Sequence, residues 1–246
     1  MMNILAIDAG NTRVKWGLAD ESGWLRRAWL ATADAATIGS AFSGLPAPQR
    51  IVVSNVAGDG VRDAIAQAVA SYGVEPLWIT GRARQCGVRS SYADPAQLGC
   101  DRWAALIAAW NLFKRACVVV NAGTTMTVDA LSGEGVFLGG FIVPGADLMR
   151  AALDRGTAQL KLRDGAFAYY PDNTADAIMS GALNALAGAV ERMAAYMEQT
   201  GQGAPLIVLS GGAAETLNPH LHAKAELVDN LVLEGLLHIA RDARDT

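Results

Sequence analysis

The chain writes one pattern twice. Ile4-Leu5-Ala6-Ile7 runs into Asp8-Ala9-Gly10-Asn11-Thr12, and Cys117-Val118-Val119-Val120 runs into Asn121-Ala122-Gly123-Thr124-Thr125. After each glycine turn come two further strand-like segments, Val14 to Asp20 and Trp24 to Leu30 in the first case, Met126 to Leu131 and Val136 to Val143 in the second. Short polar connections, Glu21-Ser22-Gly23 and Ser132-Gly133-Glu134-Gly135, join them in hairpin fashion. An internal duplication is the economical source of such a recurrence. It restricts the fold to two halves, each opening with three consecutive strands.

The turns themselves carry chemistry. A buried strand ending in Asp8 sets a carboxylate at a sheet edge, where it can hold a hydrated divalent metal. Gly10 lets the backbone approach a ligand without a Cβ in the way, and the N–H groups of such a turn form an anion-binding concavity. Asn11 and Thr12 add side-chain donors. Lys15 either supplies a positive charge for a phosphate oxygen or is solvated surface. A hairpin turn uses the same residue types, so one turn alone leaves both readings open. Two turns at matching places favour phosphate: they would face each other across a cleft, with a nucleotide between them. Gly211-Gly212, after the strand-like Leu206 to Ser210, offers a close-approach turn against which adenosine can pack, or is simply a loop. Walker-type, Gly-x-Gly-x-x-Gly and Gly-x-Ser-x-Gly motifs are absent, which removes the main support for P-loop, dinucleotide and serine-hydrolase readings.

The remaining segments complete an α/β order. Asp34 to Phe42 is weakly helical, Ile51 to Val56 reads as a buried strand, Asp59 to Tyr72 as a helix and Pro76 to Thr80 as a strand. Helices are therefore expected to pack on a mixed sheet. Residues 81 to 98 have no clear period and read as a long loop, a length that is usually functional. Gly99-Cys100-Asp101-Arg102 opens a helical run whose apolar positions, Trp103, Leu106, Ile107, Trp110 and Phe113, fall three and four apart and predict one buried face. The second half continues with a helix at Ala146 to Leu153, an irregular stretch to Asn173 and a long Ala-rich helix to about Thr200. A short helix, a strand at Ala225 to Val228 and a closing helix through Arg244 follow Leu206 to Ser210.

Composition bounds the function. With 246 residues, 52% hydrophobic and 18% charged, the chain has material for a sizeable core, as one large domain or two. The net charge of −4 argues against a nucleic-acid footprint. No basic leader and no apolar run near the roughly 18 residues of a bilayer span are present, so a cytoplasmic protein without membrane association is expected. Cys86, Cys100 and Cys117 lack metal-ligand spacing and read as reduced thiols. His220, His222 and His238 read as surface or satisfied residues.

Taken together these residues resemble a family: the actin, hexokinase and Hsp70 ATPase superfold, and within it type III pantothenate kinase, also called the Bvg accessory factor family. The resemblance covers nearly the whole chain. It rests on Asp8 to Lys15, Gly99 to Arg102, Ala122 to Thr125, Gly139 to Gly145, Asn173-Thr174 before Ser180-Gly181, and Ser210-Gly211-Gly212. It implies duplicated actin-like ATPase (ribonuclease H-like) domains over residues 1–115 and 116–246, each a mixed five-stranded sheet with packed helices. It also implies phosphorylation of pantothenate by ATP to 4′-phosphopantothenate, the first step toward coenzyme A.

Carried over by position, Asp8, Ala9, Gly10, Asn11, Thr12, Arg13, Val14, Lys15 and Thr124 would hold the nucleotide phosphates, with Asp8 on Mg2+ through water. Asp101 would be the general base, and Tyr92, Gly99, Cys100, Asp101, Arg102 and Thr174 would contact pantothenate. The chemistry of phosphoryl transfer agrees on Asp101, since it asks mainly for positioning, charge neutralisation and an acceptor for the hydroxyl proton. Arg102 is either a partner for a carboxylate or a helix-terminal surface residue. Where the family has Asp at a site for K+ or NH4+, this chain has Asn121, which keeps a carbonyl oxygen but loses the charge. Family members are similar in being homodimers, for which the apolar stretch Ala175 to Tyr196 gives only permissive support. Two other readings stay open: a sugar or other small-alcohol kinase of the same superfold, and a regulatory protein that has lost turnover.

Overall fold

The computed structural model describes residues 2–156 and 163–242. They divide into two compact units. Unit 1 comprises residues 1–114 together with 230–246, and unit 2 residues 115–229.

In unit 1, strands β1 (Ile4–Ala9), β2 (Arg13–Ala19) and β3 (Trp24–Ala31) form an antiparallel meander. A 3-10 turn over Thr32–Thr37 and the four-residue helix α1 (Ile38–Ala41) follow. The chain then enters β4 (Arg50–Asn55), which pairs with β1 in parallel, and passes through helix α2 (Asp59–Val69) to β5 (Leu77–Trp78). The sheet order is β3-β2-β1-β4-β5. β1 is central and buried at every residue, as its unbroken apolar run requires. Leu5, Ile7, Val14, Trp16, Ile38, Phe42, Ile65 and Val69 make the core on one face of this sheet, with the Trp16 and Phe42 rings packed edge to face at 5.4 Å.

The stretch 81–98 is less irregular than its composition suggests. It contains a small hairpin, β6 (Arg84–Gln85) and β7 (Val88–Ser90), and a 3-10 turn at Pro95–Gln97 capped by the Asp94 carboxylate. The hairpin turns on Cys86 and Gly87, both at positive φ (47° and 82°), which explains why no period of two is visible in so short a segment. Two sheets of five would need ten strands; with this hairpin the described residues hold twelve.

Helix α3 (Cys100–Phe113) differs from its expected single buried face, since every residue from Arg102 to Ala109 is buried. The cause is helix α7 (Leu231–Asp242), which packs against α3, β1 and β4. The small residues Ala104, Ala105, Ala108 and Ala109 allow this approach, and a Cβ on Gly235 would stand only 1.9 Å from the Ala104 carbonyl oxygen. Trp24 Nε1–H donates to Glu234 at 2.6 Å, and Arg241 donates to the Asp20 carbonyl at 3.0 Å. The closing helix thus belongs to unit 1, whereas a division by sequence order at 115/116 would give it to the second half. Arg244, its expected end, lies outside the described residues.

Unit 2 repeats the topology. β8 (Cys117–Ala122), β9 (Thr125–Leu131) and β10 (Val136–Pro144) form the antiparallel meander. α4 (Ala146–Gly156), α5 (Thr174–Gln199), β11 (Leu206–Ser210), α6 (Ala214–Leu217) and β12 (Ala225–Leu227) follow. β11 pairs in parallel with β8 and β12, so the order β12-β11-β8-β9-β10 mirrors that of unit 1. Val118, Val120, Met126, Val128, Leu186, Val190, Ile207 and Leu209 form its core. Part of the expected irregular stretch before Asn173, residues 157–162, lies outside the described residues.

Candidate functional site

In unit 1 the first glycine turn spans four residues, 10 to 13, because Ala9 pairs with Val14. Gly10 N–H donates to the Arg13 carbonyl at 3.0 Å. Thr32, unmarked by any sequence signal, pins the turn from outside: its Oγ donates to Gly10 O at 2.7 Å and its N–H to Thr12 O at 3.0 Å. Asn11, Thr12 and Arg13 are exposed, and the Arg13 guanidinium stacks 4.2 Å over the Trp29 ring. Ala9 and Val14 are wholly buried in the core, so they anchor the turn rather than present side chains to a ligand.

Asp8 and Lys15 are cross-strand partners in β1 and β2, and Ser54 is the register partner of Asp8 on the other side, in β4. Burial pushes the Asp8 carboxyl up to about 7; the negative charge of Asp101 acts in the same direction, while Lys15 and the Ser54 hydroxyl oppose it. Asp8 Oδ1 is buried and has no hydrogen-bond partner among the described residues. A buried carboxylate oxygen left in this way costs free energy unless a ligand engages it.

Asp101 sits in the first turn of α3, with Gly99 as N-cap. Its Oδ1 accepts from the Arg102 N–H at 2.8 Å, and a Cβ on Gly99 would stand 2.7 Å from that same oxygen. A side chain at 99 would therefore have to displace the Asp101 carboxylate. Cys100 Sγ lies 3.3 Å from Ser54 Oγ and donates to the Asn55 carbonyl at 3.5 Å; burial raises its thiol pKa. Arg102 is 7% exposed, which excludes a surface role. Tyr92 is half-buried in the segment between β7 and α3, its N–H donating to Ser90 Oγ at 3.2 Å. Unit 1 thus brings Asp8, Lys15, Cys100 and Asp101 together, with Ser54 among them, a residue not singled out from the sequence.

Asn121, Thr124 and Thr174 belong to unit 2. The second turn is one residue shorter, since Ala122 pairs with Met126 and leaves only 123 to 125. Gly123 N–H donates to Thr125 O at 3.1 Å, and Gly145 N–H donates to Thr124 O at 2.8 Å. Gly145 fits so closely that a Cβ there would meet Gly123 O at 2.2 Å. The second turn also lacks basic residues matching Arg13 and Lys15. Gly211, at φ 101°, passes Asn121 and Ala122 so tightly that a Cβ would stand 2.7 Å from Asn121 Oδ1. A cavity of about 210 Å³ opens beside these turns, lined by Gly123, Met126, Asp147, Met179, Leu183, Gly212, Thr216 and Leu217 among others. Thr174 begins α5, where the Asn173 side chain caps by accepting from Asp176 N–H at 3.0 Å.

The other singled-out residues stand apart from these groups. All three cysteines are free thiols, and burial pushes Cys86 up to about 12 and Cys117 up to about 11. His222 pairs with Glu191 at 2.7 Å, His220 packs on Phe167 with ring centroids 4.2 Å apart, and burial lowers the pKa of His238. No group of three or more His, Cys, Asp or Glu among the described residues could hold a metal ion. No helix among them is long and apolar enough to cross a membrane.

Comparison with known proteins gives three findings. The family model described as type III pantothenate kinase matches residues 4–196. Proteins of that name from Nitrosospira multiformis and Aromatoleum aromaticum are 51% and 49% identical to this chain, over 99% and 97% of its length and 93% and 98% of theirs. Among solved structures, MreB5 of Spiroplasma citri bound to ADP superposes with a TM-score of 0.54 at 10% identity, covering 100% of this chain and 98% of that one, a likeness of fold alone.

Proposed function

The chain belongs to the type III pantothenate kinase family, and on that footing we propose that it transfers the γ-phosphoryl group of ATP to the terminal hydroxyl of pantothenate, giving 4′-phosphopantothenate on the route to coenzyme A. The observation that carries this reading is the placement of two carboxylates, Asp8 and Asp101, near enough for the charge of one to raise the pKa of the other. One suits a metal and the other a proton.

Asp101 accepts the proton of the attacking hydroxyl. The Arg102 N–H bond to its Oδ1 fixes the carboxylate at the start of α3 and leaves Oδ2 for the substrate. Gly99, Cys100, Arg102 and Tyr92 form the pantothenate contacts of unit 1 in this reading, with buried Arg102 directed to an anionic or polar group. Lys15 and the N–H groups of residues 11 to 13 take phosphate oxygens. Adenine occupies the largely apolar cavity beside Gly212, the Met126 and Met179 side chains supplying a polarisable lining.

A divalent ion fits at Asp8, because Asp8 Oδ1 is a buried acceptor with no partner among the described residues. Asp8 would hold such an ion, Mg2+, through its water; when bound, the ion neutralises charge on the transferring phosphate. Asn121 offers a neutral carbonyl oxygen at the place of the family's monovalent-cation ligand, so dependence on K+ or NH4+ is relaxed. We also assign a homodimeric, cytoplasmic state. Tyr169, Tyr170 and Tyr196 are large side chains exposed on unit 2, the kind of surface that a partner subunit would cover.

The test is ADP release from ATP and Mg2+ with pantothenate, compared with a panel of sugars and polyols. Turnover with pantothenate alone is expected; turnover confined to sugars would reject the substrate. Mass measurement in solution tests the dimer.

A further inference from the structure

Ser54 is fully buried at the end of β4. The parallel pairing of β4 with β1 makes Ser54 and Asp8 register partners, so their side chains leave the sheet on the same face. On that face Ser54 Oγ also lies 3.3 Å from Cys100 Sγ, in the first turn of the helix that carries Asp101. Cys100 has its own acceptor in the Asn55 carbonyl. The Ser54 hydroxyl therefore has one proton and two acceptors within reach, a thiol sulfur and a carboxylate. A charged carboxylate is much the stronger acceptor.

We propose that Ser54 is a positioning residue for metal-nucleotide binding: its hydroxyl, given to Asp8 in preference to the Cys100 sulfur, holds one oxygen of that carboxylate and turns Oδ1, which has no partner among the described residues, toward the hydrated divalent ion. This rests on the reading of Asp8 as the metal-side carboxylate. The case stands on the register of two strands, on the complete burial of Ser54 and on its hydroxyl reaching the Asp8 carboxylate. A buried serine placed only to fill space would need no aligned acidic partner, and Ala serves that purpose at Ala6, two residues before Asp8 on the same face of β1. Outer-shell donors of this kind change metal affinity by about 10- to 100-fold when removed.

The experiment measures ATP affinity by calorimetry, without pantothenate, in the presence and absence of Mg2+. The parent, Ser54→Ala and Ser54→Cys are compared, with thermal unfolding recorded for each. In the parent, Mg2+ tightens ATP binding. In Ser54→Ala that tightening falls about tenfold while metal-free ATP binds as in the parent, and Ser54→Cys, a near-isosteric weaker donor, falls in between. Should Ser54→Ala fail to fold, the loss in Ser54→Cys carries the test. A gain from Mg2+ undiminished in every folded variant, or equal weakening of ATP with and without Mg2+, overturns the role of Ser54 while leaving Asp8 in place. If Mg2+ brings no gain even in the parent, the metal reading of Asp8 falls and the Ser54 role falls with it.

Discussion

A Cβ on Gly211 would stand 2.2 Å from the carbonyl oxygen of Ala122, at a backbone φ of 101° that L side chains rarely adopt. The end of β11 and the second glycine turn are thus in direct backbone contact, reinforced by the Ala213 N–H bond to the same Ala122 oxygen at 3.0 Å. Gly211→Ala would have to push these segments apart. The expected cost is about 1–3 kcal/mol from overpacking alone, with a further loss from the strained φ. Denaturant melts should show a lower midpoint, and the KM for ATP should rise.

Asp101→Asn keeps the size and the Arg102 N–H contact but removes the carboxylate proposed to accept the proton. We expect kcat to fall by about 10²- to 10⁴-fold with a small change in the KM for pantothenate. Steady-state kinetics with ADP release as the signal would read this, and undiminished turnover would remove Asp101 as base.

Gly99→Ala tests the same carboxylate by geometry. The new methyl would come within 2.7 Å of Asp101 Oδ1 and displace it from the Arg102 N–H. Since Gly99 itself has an ordinary φ of −50°, the folded state should survive. The expected result is a fall in kcat of at least about tenfold, with thermal stability changed by only a few degrees.

Asp8 makes the protein's stability depend on pH. Its carboxyl is raised from 3.8 to about 7 on folding, so between those values the unfolded chain has released a proton that the folded chain keeps. Stability therefore declines as pH rises from about 4 to about 7 and levels off above that range. Asp8→Asn removes the effect. At pH 8 the variant should melt several degrees above the parent in metal-free buffer, the gap should close toward pH 4, and activity should be lost. A variant no more stable than the parent at pH 8 would contradict the buried, repelled carboxylate.

Asn121 lacks the charge that would favour a monovalent cation. Initial rates in sodium, potassium and ammonium buffers are expected to agree within about twofold, because a neutral carbonyl ligand gives a bound cation far less Coulombic attraction than a carboxylate. A strict requirement for potassium would show that other groups supply the charge.

The repeated strand-turn-strand order was legible because its signals are local: apolar runs of four, a glycine and a polar connection. Asp101 was legible because a helix start beside a long loop is visible in the pattern. What escaped depended on pairing between distant segments. Ser54 sits in an apolar strand like many buried serines, and only the β1–β4 register sets it beside Asp8. Thr32 pins the first turn from beyond the next strand. The β6–β7 hairpin is too short for alternation to show. The burial of every residue of α3 from Arg102 to Ala109 follows from a helix more than a hundred residues away, whose small residues match those of α3 only after folding.

That last relationship bears on the order of events during synthesis. Unit 2 is one continuous stretch, 115–229, whereas unit 1 needs α7 to cover α3 and the sheet strands β1 and β4. Residues 1–114, although made before unit 2, must wait with an uncovered apolar helix until α7 emerges, while the middle of the chain is free to fold before it. Birth order and completion order are reversed, and a premature stop after residue 229 would spare the continuous unit and leave the unit that carries Asp8 and Asp101 unfinished.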